Sequence, residues 1–268
     1  MRPEITASAY YHTPANTPRM PLDRILGNTR IIFLLYYIYL VFKTRSDARN
    51  GLYDTFQWVK TSHDVFTLVE RCGGRIHLTG LDHLRNCKSP AVIVSNHMST
   101  LETMIFPGII QPIKDITFVV KSELARHWAF GDVMRSRDPI MLNRKNPRED
   151  FRIIMEQGFE RLKNGNSIVM FPQSTRRVDF IPSEFHSLGT KLALHAAVPL
   201  IPVAIKTDFW EHGKYSKYLG PVNRKKHIHI AFGEPIEVKG SGKEEHRQVI
   251  RFIADHLSRW RENQPNNP

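Results

Sequence analysis

The chain has 268 residues, a formal charge of +12 and an isoelectric point near 9.8, enough sequence for one large domain and a small accessory element. Such a charge favours an anionic partner, and a nucleic acid, an anionic membrane surface or a phosphorylated substrate would each answer it. Two cysteines, Cys72 and Cys87, allow at most one bridge and form no Cys-x-x-Cys pair, so a disulfide scaffold is excluded, no metal is expected, and a reducing cytosol is the expected compartment.

Residues 1–24 hold four prolines and little apolar periodicity, which predicts an irregular arm. No apolar segment follows a basic start, so the arm does not read as a signal peptide. The apolar run from Ile31 to Phe42 is bounded by Arg30 and Lys43 and falls short of the roughly 20 residues that span a bilayer. From Gly51 to Glu70, Leu52, Phe56, Val59, Phe66 and Val69 recur near helical spacing. Together these runs predict a helical hairpin over 25–72 that turns around Lys43 to Asn50. Tyr36, Tyr37, Tyr39 and Trp58 suit the headgroup depth of an interfacial membrane anchor; packing against the domain's own core is the competing reading.

Residues 73–268 read as one catalytic domain. Strand-like runs at Ala91 to Ser95, Ile116 to Val120, Ile140 to Asn143, Ser167 to Phe171, Leu200 to Ile205 and His227 to Phe232 alternate with helical patterns. The helices are expected at Leu101 to Ile110, Pro147 to Lys163, Leu188 to Ala197 and Glu244 to Arg261, with Pro147 suited to a first turn and Gly165 to a stop. The alternation predicts an α/β fold with a mostly parallel or mixed central sheet flanked by helices.

Two strand ends carry chemistry. After Ala91 to Ser95 come Asn96-His97-Met98-Ser99-Thr100-Leu101-Glu102, which place an imidazole ahead of a carboxylate that can hold its Nδ1 proton while Nε2 acts as a general base. The same residues form a capping box, Ser99 to Glu102, so Glu102 has a purely helical reading as well. After Ser167 to Phe171 comes Pro172-Gln173-Ser174-Thr175-Arg176-Arg177, a loop of hydroxyls, an amide and guanidiniums suited to an anion, with Arg176 as the bidentate contact. No Gly-x-Ser-x-Gly elbow surrounds Ser174, which argues against a serine nucleophile. Lys214, Lys217, Arg224, Lys225 and Lys226 with Tyr215 and Tyr218 have the look of a nucleic-acid patch, though a loop resting on anionic headgroups explains them as well. His227 and His229 read as ordinary strand residues.

Together these motifs resemble the glycerolipid acyltransferase family, which includes the lysophosphatidic acid acyltransferases. The family's Asn-His-x4-Asp matches Asn96 to Glu102, its Phe-Pro-Glu-Gly-Thr-Arg matches Phe171 to Arg176, and its Val-Pro-x-x-Pro-Val matches Val198 to Val203. Its second motif, an arginine after an apolar strand, is similar to Ile140 to Arg144. This chain has Glu102 for aspartate, Gln173 for glutamate and Ser174 for glycine.

The resemblance implies an enzyme moving a fatty acyl group from acyl-CoA or acyl carrier protein to the free hydroxyl of a lysophospholipid, 1-acyl-glycerol-3-phosphate first among them, at the cytoplasmic face of a membrane. On it, His97 and Glu102 are catalytic, while Lys121, Arg144, Phe171, Gln173, Ser174, Thr175, Arg176 and Pro202 bind substrate. No metal or cofactor and no nucleic acid is expected to take part. A different lyso-lipid acceptor, and a non-catalytic lipid-binding protein of the same fold, are the alternatives.

Overall fold

Short runs of β-branched and aliphatic residues supply the strands, which are β1 (Tyr10–His12), β2 (Ile76–Thr79), β3 (Val92–Ser95), β4 (Ile116–Lys121), β5 (Ile140–Leu142), β6 (Ser167–Met170), β7 (Leu200–Lys206) and β8 (Ile228–Phe232). The computed structural model describes residues 3–26, 29–173, 175–213 and 218–262. Among the described residues the strands form one eight-stranded sheet in the order β1-β2-β8-β7-β3-β6-β4-β5. From β7 to β5 the strands are parallel, with Ile93 of β3 facing Ile201 on one side and Val169 on the other. β8 runs antiparallel to β7, and β1 antiparallel to β2, so the sheet is mixed. Val92, Ile93, Val169 and Ile201 are fully buried, as strands covered on both faces require.

The helices are α1 (Pro3–Ala7), α2 (Pro21–Ile25), α3 (Ile31–Arg49), α4 (Thr55–Arg71), α5 (Leu81–Asn86), α6 (Leu101–Ile110), α7 (Ser122–Ala125), α8 (Gly131–Ser136), α9 (Pro147–Lys163), α10 (Leu188–Ala196) and α11 (Lys243–Glu262). The chain leaves β3 toward β4 through α6 and returns through α9 and α10, so right-handed crossovers put α6 on one face and α9 and α10 on the other. α4 packs on α6, and α9 on α10. Asn146 caps α9 by accepting from the backbone N–H groups of Arg148 and Glu149, with Pro147 in the first turn. Pro107 interrupts α6, and α4 braces the break: Gly108 N donates to Ser62 Oγ at 2.7 Å, and His63 Nε2 lies 2.8 Å from Gly108 O.

Two expectations are corrected here. The arm over 1–24 carries α1, α2 and β1, whose Tyr11 pairs with Leu78. It docks because the buried carboxylate of Glu70 accepts from Tyr11 Oη at 2.5 Å and Thr13 Oγ1 at 2.7 Å, partners far away in sequence. The hairpin turns later than expected, since α3 runs on to Arg49 with Lys43 and Asp47 paired one turn apart. Gly51, at φ 70°, then reverses the chain, and Asp54 caps α4 through Gln57 N.

α3 is apolar on both sides. Phe33 and Tyr37 pack edge-on against Trp210, at centroid distances of 5.0 and 4.7 Å, while Ile31, Leu35, Tyr36, Ile38, Tyr39 and Phe42 are exposed. Tyr37, expected at headgroup depth, is therefore a core residue, and Trp58 turns inward against Phe118. No described helix is long and apolar enough to cross a membrane. Cys72 and Cys87 are both buried and free.

The approach of α10 to the sheet depends on Gly189, where a Cβ would fall 2.4 Å from Val94 Cγ1 and 2.9 Å from Met170 Sδ. Val94 is the next-to-last residue of β3 and Met170 the last of β6, just before the motif loops. Gly189→Ala is expected to lower unfolding free energy by about 1–3 kcal/mol, measured by denaturant titration; unchanged stability would show that the contact relaxes freely.

Candidate active site

All five parallel strands end on the same side of the sheet, where open α/β folds place ligands. β3 delivers His97, β4 Lys121, β5 Arg144, β6 Phe171 through Arg176, and β7 Thr207. Asn96 sets the first of these loops: its Nδ2 donates to Ile205 O and its Oδ1 accepts from Ile205 N, both at 2.8 Å. One amide side chain thus completes the ladder between β3 and β7 where regular pairing stops.

Glu102, in the first turn of α6, is fully buried. Its Oε1 lies 2.8 Å from His97 Nδ1 and accepts from the backbone N–H groups of Met98 and Ser99 at 2.7 and 2.8 Å. Its Oε2 accepts from Thr207 Oγ1 at 2.7 Å and lies 2.9 Å from Ser99 Oγ. Burial alone would push this carboxyl up, but the hydrogen bond and charge of His97 and the hydroxyl of Thr207 hold it below the usual carboxylate range. Glu102 is therefore an ionised acceptor, so His97 Nδ1 carries the proton and Nε2 is the basic nitrogen. One carboxylate makes both sets of contacts: it binds the Ser99 N–H as a capping box does and fixes the imidazole tautomer.

The loop after β6 grips the same histidine. Gln173 Oε1 accepts from His97 N at 2.7 Å, Arg177 N donates to His97 O at 2.9 Å, and Phe171 stacks on the imidazole at 4.3 Å. Arg176 donates through Nη1 to Thr100 Oγ1 and lies over the Tyr218 ring at 4.9 Å. The guanidinium is thus held beside His97 by a hydroxyl and an aromatic face.

In front of these groups lies a cavity of about 270 Å³. Its polar lining includes His97, Thr100, Thr175, Arg176, Lys121 and Arg144, and its apolar lining includes Trp58, Met104, Phe118, Phe130 and Met134. Arg144 sits at φ 56°, a conformation that costs a non-glycine residue energy and often marks a functional loop. Arg137 also lines the cavity, over the Trp58 ring at 5.0 Å and bonded to Thr55 Oγ1 at 3.0 Å.

The structure brings His97, Glu102, Lys121, Arg144, Phe171, Thr175 and Arg176 together. Gln173, expected on the substrate, is instead buried on the backbone of His97, because the turn after Pro172 points its side chain back under β3. Pro202 lies inside β7 opposite Val94 and does not line the cavity; its carbonyl accepts from Gly233 N. Ser174, Lys214, Tyr215 and Lys217 lie outside the described residues. Two of the three remaining cations of that patch are engaged within the fold, Arg224 with Asp23 at 2.6 Å and Lys226 with Glu211 at 2.9 Å, while Lys225 is exposed. Sequence reasoning missed Thr207, which follows a buried strand and was findable by the strand-end rule; Arg137, which the sequence places with Arg135 in a basic loop, lines the cavity.

Residues 75–206 match the acyltransferase family model. The chain is 30% identical over 171 residues to a 1-acyl-sn-glycerol-3-phosphate acyltransferase of Pseudomonas aeruginosa, covering 63% of this chain and 62% of that one. It is 31% identical over 121 residues to a probable 1-acyl-sn-glycerol-3-phosphate acyltransferase of Mycoplasma pneumoniae, covering 44% of this chain and 45% of that one. The chain thus spans less than two thirds of the length of these curated relatives. Its fold is similar to the crystal structure of the 1-acyl-sn-glycerophosphate (LPA) acyltransferase, PlsC, from Thermotoga maritima, with a TM-score of 0.61 over 91% of this chain and 94% of that one, at 18% identity.

Because the folded value of Glu102 lies below the ordinary 4.5, its stabilisation is complete above that pH and fades as acid takes the carboxylate through its lower folded value. Glu102→Gln is expected to cost about 1–3 kcal/mol at neutral pH. Denaturant titrations of both proteins at descending pH should show the gap closing in acid; a constant gap would mean that the carboxylate's charge is not what stabilises the loop. Gln173→Glu keeps the acceptor for His97 N and is expected to unfold at nearly the parent temperature. Gln173→Leu strands that N–H, and its melting temperature should fall clearly below that of Gln173→Glu.

Proposed function

We propose that this chain is a member of the acyltransferase family whose model its residues 75–206 match, and that it transfers a fatty acyl group from acyl-CoA or acyl carrier protein to the free hydroxyl of 1-acyl-glycerol-3-phosphate, giving phosphatidic acid. The observation that carries the reading is the sharing of one cavity by a tautomer-fixed histidine and a tethered arginine, with apolar side chains in its lining.

His97 Nε2 takes the acceptor's hydroxyl proton as the oxygen attacks the thioester carbonyl. Glu102 stabilises the imidazolium that forms. The tetrahedral adduct then expels the thiolate with cleavage of the C–S bond, and the proton on His97 passes to that leaving sulfur. Arg176, with Lys121 and Arg144 in the same cavity, holds the acceptor's phosphate, and the Trp58, Met104 and Phe118 wall takes an acyl chain. The thioester carries its own activation, so no metal or cofactor is required.

The enzyme works from a membrane surface, on the cytoplasmic face where acyl thioesters are made. The exposed side of α3 supplies the apolar contact. Trp128 lies 6.0 Å from Phe42 of that face and two residues from Phe130 of the cavity wall, which gives a lipid a short apolar route inward.

Detergent-purified protein given acyl-CoA and a panel of lysophospholipids should release thiol and form acylated lipid, fastest with phosphate-terminated acceptors. His97→Ala should lower kcat by about 10²–10⁴-fold, and Arg176→Ala should raise KM for the phosphate acceptor well above that for an uncharged one. Absence of product across the panel with either donor would reject the reading. Full activity in a folded His97→Ala variant would reject the mechanism.

A further inference from the structure

At the edge of the sheet away from the active site, three strands bring together histidines that the sequence keeps far apart. His77 lies on β2 opposite His229 of β8, and the two rings stack with centroids 4.7 Å apart. His227 precedes β8, and its Nδ1 lies 3.1 Å from His77 Nε2. On the other side, His12 of β1 places its Nδ1 2.8 Å from His77 Nδ1. Trp260 of α11 stacks on His229 at 5.1 Å. None of these residues lines the active-site cavity.

We propose that His77, His227 and His229 form a site for a borderline-soft divalent ion of the zinc type, with His12 as the outer group that orients His77. The three rings offer ligand nitrogens within 4.8 Å of one another, and each ring is half-buried. Zinc–nitrogen bonds of about 2.0–2.1 Å place tetrahedral ligands roughly 3.4 Å apart. His77 Nε2 and His227 Nδ1 already meet that spacing, and His229 closes the remainder by rotating its ring. With Nε2 on the metal, His77 Nδ1–H donates to His12, the second contact that metal-bound imidazoles characteristically make. Three imidazoles leave a fourth position for water.

The surroundings favour rings that present lone pairs. The half-buried setting of His77 and His229 disfavours the charged form of either ring. The nearby cations are already engaged: Arg75 donates to the carbonyls of Pro14 and Ala15 at 2.7 and 3.1 Å, and Lys206 bonds Asp208 at 2.9 Å. An ion here would tie the N-terminal arm to β2 and β8, a clip separate from the acyl-transfer chemistry.

The test uses the untagged full chain, stripped with a chelator and titrated calorimetrically with Zn²⁺. One ion per chain is expected at micromolar or tighter affinity, with a rise in melting temperature. His12→Ala should weaken binding about 10–100-fold, a His77→Gln/His227→Gln double variant should abolish it, and His195→Gln, outside the cluster, should leave it intact. No binding by the parent protein, or full binding by the double variant, would overturn the site. Should the double variant not fold, X-ray absorption on the zinc-loaded parent protein decides: three imidazole ligands support the site, and fewer overturn it.

Discussion

A carboxylate removed wholly from water must be met by donors or it will not stay ionised, and Glu102 is met by donors from four residues, His97, Met98, Ser99 and Thr207. Its acceptors are filled by the His97 ring, by two successive backbone N–H groups and by a hydroxyl from a neighbouring strand. Those bonds decide where α6 starts, which way the loop after β3 turns and which nitrogen of His97 is basic. The extra methylene of glutamate is accommodated because the cap and the dyad use the same oxygen, so the carboxylate folds back over its own helix start. A neutral side chain of the same shape would leave these donors competing for a weaker partner.

Around that anchor the parallel strands do the positioning. The cavity between their loops is lined by both cations and apolar side chains. Such a lining suits an amphiphile: charge is read where arginines are tethered, and chain is read where α4, α6 and α8 line the wall. α3 carries the same amphiphilic logic to the surface, with one apolar side on Trp210 and the other facing out. A helix of that kind has almost no amphipathic contrast of its own, and its two sides are distinguished only by what the fold sets against one of them.

The strongly periodic elements were legible in the sequence, since α6 and α9 begin and end where capping residues and apolar spacing put them. His97, Glu102 and Arg176 were legible because their strand ends carry residue types that a plain turn does not need. What stayed hidden depends on pairing across long separations. β1 is three residues long and exists because Glu70 draws Tyr11 and Thr13 toward β2. Gln173 read as a substrate contact because its burial beneath His97 is a property of two loops together. The histidines at 12, 77, 227 and 229 look scattered until the strand order β1-β2-β8 sets them side by side.

The backbone of His97 is hydrogen-bonded on both sides to the loop that carries Arg176, and Arg176 in turn bonds Thr100, three residues beyond the histidine. His97 and the loop that carries Arg176 therefore form a closed ring of contacts. A displacement of the guanidinium as an anion settles is transmitted to the imidazole through peptide groups and needs no change of helix or sheet. If His97 and Arg176 act as proposed, acceptor affinity and turnover are mechanically one property in such a ring: a change that loosens either motif should detune both.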